Sequence, residues 1–278
     1  MSYGALGPGA LDYLPCRYGT SKLLFRGPRR SLDSPYVAFL GGTETYGKFI
    51  TQPFADRVEE GTGIPSVNFG CLNAGIDVFA HDPFVIGAAS KARVSVVQVL
   101  GAANMTNRFY SVHPRRNDRF IGASKLLSTI YSDVDFAEFH FTKHMLNRLL
   151  LVSPARFESV QTELQQAWVA RMRLLLGQIG KRTILLWFAQ HAPGNDLVLN
   201  EDGELGQDPL FVTREMMDQL ADCAAEVVEV PASPSAIEAG NEGMVYDELE
   251  TSAASEMLGP VAHQEVADRL IEPIKRMM

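Results

Sequence analysis

Four arginines and a histidine crowd one stretch of the chain, Asn107-Arg108-Phe109-Tyr110-Ser111-Val112-His113-Pro114-Arg115-Arg116-Asn117-Asp118-Arg119. Guanidinium forks pair with carboxylate, phosphate or sulfate groups through parallel N–H bonds. Arg108, His113, Arg115, Arg116 and Arg119 therefore point to an anionic ligand. The alternative is a loop tied by its arginines to nearby carboxylates such as Asp118, Asp133 or Asp135. A second basic stretch runs from Arg17 to Arg30, but no buried strand precedes it and it lacks the glycine spacing of a phosphate-binding loop. His140 and His144 lie one helical turn apart without the glutamate of an HExxH motif, so packing or surface roles are expected and no metal is. His81-Asp82-Pro83 reads as a helix cap. His191, in Gln190-His191-Ala192-Pro193, follows an apolar run and is placed to contact a substrate.

The elements that would position these groups are legible as apolar runs. Tyr36–Leu40, Ser66–Phe69, Val94–Leu100, Thr183–Ala189 and Glu226–Val230 have strand length and little alternation, as strands buried on both faces of a parallel sheet do. Helical patterns separate them at about 51–60, 82–92, 137–151, 154–178, 212–224 and 260–276. The alternation predicts an open three-layer α/β fold of about five strands. Residues 1–35 read as an irregular N-terminal arm and residues 36–278 as one domain with a helical insertion at about 105–180. Within it Ser153-Pro154 caps a helix whose Phe157, Val160, Leu164, Trp168, Met172 and Leu175 form one apolar stripe. Core packing is the plain reading of that stripe; a lid over the site and a homodimer contact are the alternatives.

Composition narrows the function classes. Apolar residues at 46% suit a globular core, and the longest apolar runs are too short to span a bilayer. The start of the chain has neither the basic nor the apolar region of a secretory signal, so a cytoplasmic location is expected and no membrane partner. A net charge of -8 argues against a nucleic-acid partner. Cys16, Cys71 and Cys223 are far apart and lack CxxC spacing, which argues against a disulfide framework or zinc site.

After the first apolar run comes Gly41-Gly42-Thr43-Glu44-Thr45-Tyr46-Gly47, which resembles the first block of SGNH (GDSL-type) hydrolases, Gly-Asp-Ser-x-Thr-x-Gly. The family's Asp is Gly42 here, and its serine nucleophile is Thr43. Asn68-Phe69-Gly70-Cys71-Leu72-Asn73-Ala74-Gly75 is similar to the second block, and Gly101-Ala102-Ala103-Asn104 resembles the third with Met105 in place of its Asp. Gly259-Pro260-Val261-Ala262-His263 resembles the last block, where a histidine opens the C-terminal helix and Pro260 stands where the family has Asp. The chain as a whole also resembles a bacterial protein family that supplies no function.

The resemblance implies a flavodoxin-like sheet order, with the second strand on one edge and the fifth on the other. It further implies a cofactor-free site in which Thr43 attacks an ester, His263 is the general base, and Asn104 holds the oxyanion with Gly42, Gly70, Asn73 and Gly75 around it. A β-branched nucleophile and a histidine without its carboxylate depart from ordinary esterase chemistry, though Glu256 lies upstream on the same connection. Two functions follow as expectations: an esterase or acyltransferase for an anionic or carbohydrate-linked ester, or an inactive relative binding an anionic small molecule or glycan through the arginines.

Overall fold

The computed structural model describes residues 11–195, 197, 199–200 and 203–278. The first ten residues of the N-terminal arm lie outside them. In chain order the elements are β1 (Val37–Gly41), α1 (Thr43–Tyr46), α2 (Phe54–Thr62), β2 (Ser66–Gly70), α3 (Ile76–Ala80), α4 (Pro83–Lys91), β3 (Val94–Gln98), β4 (Tyr110–His113), β5 (Arg116–Ala123), α5 (Lys125–Ile130) and α6 (Thr142–Val152). They continue with α7 (Pro154–Ile179), β6 (Thr183–Ala189), α8 (Arg214–Asp218), β7 (Glu226–Pro231), α9 (Pro234–Ala239), α10 (Thr251–Ser255) and α11 (Pro260–Met277).

Five strands form one parallel sheet in the order β2-β1-β3-β6-β7, the flavodoxin-like order expected. The lack of alternation in the apolar runs has its reason in the core. Ala38, Leu40, Val67, Phe69, Val97, Leu185 and Trp187 pack on one face with α4 and α7. Their strand neighbours Val37, Phe39, Val94, Val96, Ile184, Leu186 and Phe188 pack on the other with α2 and α11. The arm is drawn onto the first face through buried Tyr18, Leu23 and Phe25.

The long connection between β3 and β6 is not purely helical: it opens with an antiparallel hairpin, β4–β5. The stripe on α7 is core. Phe157, Val160, Leu164 and Trp168 are buried, and the Trp168 indole N–H donates to the Leu100 carbonyl at 2.7 Å, fixing the chain that leaves β3. The expected helix at 212–224 is only α8 followed by a single 3-10 turn, Ala221–Cys223. Asp82 does cap α4, accepting from the Phe84 and Val85 amides. Among the described residues no helix is long and apolar enough to cross a membrane, and no group of His, Cys, Asp and Glu could hold a metal ion.

Candidate functional site

In an open parallel sheet the chain leaves every strand at the carboxyl edge, where the loops part to leave a crevice. Here that crevice is a cavity of about 430 Å³ bounded by Gly42, Thr43 and Glu44 after β1, Asn73 and Ala74 after β2, Gln98 to Gly101 and Asn104 after β3, and Ala189 and Gln190 after β6. Asp118 of β5, Phe141, Thr142 and Lys143 at the start of α6, Asp208, and Glu256 to Leu258 complete it.

A polar scaffold beneath the cavity holds the first turn in place. Gln98 Oε1 accepts from the Gly42 amide at 3.1 Å and from the Thr45 hydroxyl at 2.6 Å, tying β1's turn to β3. Asn68 donates to the Thr45 carbonyl at 2.7 Å and accepts from the Gly70 amide at 2.8 Å. A side chain at Gly70 would strike the Thr45–Tyr46 backbone, so glycine is needed there for close approach.

The Thr43 hydroxyl accepts from the Asn73 amide at 2.9 Å and donates to Asn73 Oδ1 at 3.4 Å. Asn73, at φ 54°, in turn sends its side-chain amide to Asp118 Oδ2 at 3.4 Å. Asn104 Oδ1 accepts from the Thr142 hydroxyl at 2.5 Å, and its Nδ2 has no protein partner among the described residues. Thr43, Gly42, Asn73 and Asn104 thus meet at one cavity.

His263 does not join them. Its ring is fully buried in the first turn of α11, stacked on Phe54 at 5.7 Å and edge-on to Phe188 at 5.3 Å. Nδ1 accepts from the Phe54 amide at 3.2 Å, and Nε2 faces Glu44 Oε2 at 3.8 Å. Burial pushes its pKa below the ordinary imidazole value, with Glu44 opposing the shift. A ring sealed in this way cannot serve as Thr43's base from its present position. The expected oxyanion amides of Gly70 and Gly75 are also committed, to Asn68 Oδ1 and to Asn117 Oδ1 at 3.0 Å.

The arginine cluster is corrected too. Arg108 is taken by the buried Glu163, through Nε at 2.7 Å and Nη2 at 2.6 Å. Arg115 and Arg116 are exposed at the hairpin turn, and exposed Arg119 lies over the Phe141 ring at 5.3 Å. His113 accepts from the Arg115 amide. None of these five lines the cavity, whose charged groups are Glu44, Asp118, Asp208 and Glu256 against Lys143. That balance disfavours an anionic ligand. We expect Arg115→Ala with Arg116→Ala to change stability by less than about 0.5 kcal/mol per site, as surface substitutions do, and to leave cavity ligand affinity unchanged by calorimetry. His191 lines a separate small cleft with Gln165 and Phe211, its Nδ1 beside the Ala192 carbonyl.

Sequence reasoning missed two carboxylates. Glu44 occupies an unspecified position of the first block, and Asp118 has no sequence signal beyond its neighbouring arginines. Asp118 Oδ1 is buried with no partner among the described residues, and burial raises its pKa despite Arg119 and Arg116.

Fold and site together define a three-layer α/β protein with a polar, acidic cavity at the carboxyl edge of its sheet. The chain belongs to the family described as a domain of unknown function, DUF6473, which matches residues 1–278. No curated protein matches it. Among solved structures it is similar to the lipase Lip_vut3 from goat rumen metagenome, at 11% identity over 88% of this chain and 100% of that one, with a TM-score of 0.43. It is also similar to a gut microbial diltiazem-metabolizing enzyme, at 12% identity over 87% of this chain and 47% of that one, with a TM-score of 0.43.

Proposed function

We propose that the cavity is the active site of an SGNH-type esterase or acyltransferase whose substrate is uncharged and hydroxyl-rich, a carbohydrate-linked ester. The observation that carries this reading is that the Thr43 hydroxyl and the unpartnered Asn104 amide open onto the same cavity. Its volume of about 430 Å³ suits a small molecule. Carboxamides at Asn73, Asn104, Gln190 and Gln207 and the exposed Phe141 ring offer hydrogen bonds and an apolar face to a sugar. Thr43 Oγ attacks the ester carbonyl, and Asn104 Nδ2 donates to the oxyanion as it forms.

A second reading is ligand binding without turnover, favoured by the withdrawal of His263 into the core. The test is a panel of p-nitrophenyl acyl esters and acetylated monosaccharides with the parent, Thr43→Ala and Asn104→Ala. Under the first reading Thr43→Ala loses all turnover, and Asn104→Ala loses about 10²–10³ in kcat, the usual effect of removing an oxyanion donor. Calorimetric binding of an acetylated sugar with no turnover by the parent would establish the second reading instead.

A further inference from the structure

We propose that Glu44 is the proton-accepting group of the cavity and that the buried His263 is the residue that positions it. This rests on the acyl-transfer reading and reverses the expected order, in which a carboxylate orients a histidine and the histidine does the chemistry.

Nδ1 of His263 accepts from the Phe54 amide, so it carries no proton, and the neutral ring must carry its proton on Nε2. That N–H has no hydrogen bond among the described residues, and the group it faces is Glu44 Oε2, at 3.8 Å. Phe54 and Phe188 fix the ring plane, so the N–H direction is set by packing. A buried polar group without a partner is costly, and Glu44 is the acceptor that faces it. The other charges felt by the ring are those of Arg26 and Arg57, both positive, which further disfavour a proton on it.

Glu44 has what His263 lacks, a face on the cavity. Its Oε1 accepts from the Leu258 amide only at 3.4 Å, and its Oε2 lies 3.8 Å from Nε2. Both contacts are long, so the carboxylate keeps lone pairs for a third group, and such contacts tighten when substrate arrives. Thr43 lines the same cavity, and its hydroxyl proton, held on Asn73 Oδ1 only at 3.4 Å, leaves that contact to reach Glu44.

The step balances as follows. Thr43 Oγ bonds to the ester carbonyl carbon, its proton passes to the Glu44 carboxylate, and the carbonyl pair moves to the oxygen at Asn104 Nδ2. Collapse breaks the carbon–oxygen bond to the alcohol, which leaves with the proton from Glu44. Water, or an acceptor hydroxyl, then attacks the acyl-Thr43 carbonyl, giving its proton to Glu44, and Thr43 leaves with that proton.

The test compares the parent with Glu44→Gln, His263→Phe and His263→Gln on p-nitrophenyl acetate, alongside ¹⁵N spectra of the labelled histidine rings. Glu44→Gln should lower kcat by at least about 10²-fold, the usual share of a general base, with KM changed less than about threefold. His263→Phe, which fills the space without a donor, should lower kcat by about tenfold, and His263→Gln, which restores an N–H, should recover most of it. The ring should show the Nε2–H tautomer and become harder still to protonate in Glu44→Gln. Full kcat in Glu44→Gln, with Thr43→Ala inactive, overturns this proposal and leaves the esterase reading standing. No turnover by the parent overturns the esterase reading and Glu44's part in it. The ring spectra decide the pairing separately: an Nδ1–H tautomer, or a ring titration unmoved by Glu44→Gln, overturns it.

Discussion

Gly75→Ala is expected to lower stability by about 2–4 kcal/mol and to disable the cavity. The reason is space, not conformation, because φ at Gly75 is −108° and any residue adopts it. A Cβ at Gly75 would land on the carbonyl group of Asn104, far inside 3.0 Å, and a backbone atom cannot swing away. Overpacking of this kind costs about 1–3 kcal/mol. The displaced loop also strains a hydrogen bond worth about 1 kcal/mol. That bond joins the Gly75 amide to Asn117, which is fully buried, accepts also from the Val78 amide at 3.1 Å and donates to the His113 carbonyl at 3.0 Å. One junction thus clamps the loop after β2, the loop after β3 and the β4–β5 hairpin. Forcing it apart moves Asn104 relative to Thr43. Gly87→Ala and Gly177→Ala are the controls: both sit in helices with nothing within 4 Å of the added carbon, and each should be neutral or gain up to about 1 kcal/mol. Thermal melts decide, and a Gly75→Ala protein melting with the parent would refute the argument.

The same junction shows why some of this molecule is legible in its sequence and some is not. The sheet strands are unbroken apolar runs because both faces are covered, and no distant information is needed to see that. Gly70 and Gly75 stand out as glycines, but what each makes room for comes from another segment, the Thr45–Tyr46 backbone and the Asn104 carbonyl respectively. The hairpin escaped notice because β5, Arg-Asn-Asp-Arg-Phe-Ile-Gly-Ala, has polar residues facing both ways, and its buried members Asn117 and Phe120 break the period of two. The arginines around it drew attention as a charge cluster, yet the residue that matters structurally is Asn117 between them. His263 does open the last helix. Its burial was not legible, because Phe54 and Phe188 lie far off in the chain and meet the ring only when α2 and α11 close over β6. Glu44 and Asp118 carry no spacing signal at all, since folding alone brings them to one cavity.

Acid should destabilise the protein through His263. Burial lowers the folded-state pKa beneath the unfolded value of about 6.5, so between those two values the unfolded chain binds a proton that the native chain refuses. The stability concerned is therefore present in full above about pH 6.5 and is lost as pH falls towards the folded pKa, at up to about 1.4 kcal/mol per pH unit. The parent should therefore lose stability from this source as pH falls below about 6.5. Asp56 and Asp118 act in the opposite sense: burial raises their pKa values, so the native state holds protons that the unfolded state gives up, over a window opening near 3.8. His263→Phe lacks the titrating group but keeps both carboxylates. The difference between parent and variant in urea midpoints from pH 7.5 to 5 therefore isolates the histidine, and His263→Gln serves if the phenylalanine variant folds poorly. A difference that stays constant across that range would mean the ring protonates as easily in the native state as in the unfolded one. A proton forced onto the ring lands between two phenylalanines and against the Phe54 amide that Nδ1 accepts from. The contact between α2 and α11 should therefore yield first. Because the Glu44 wall of the cavity rests on that contact, ligand binding should fail at a higher pH than global unfolding.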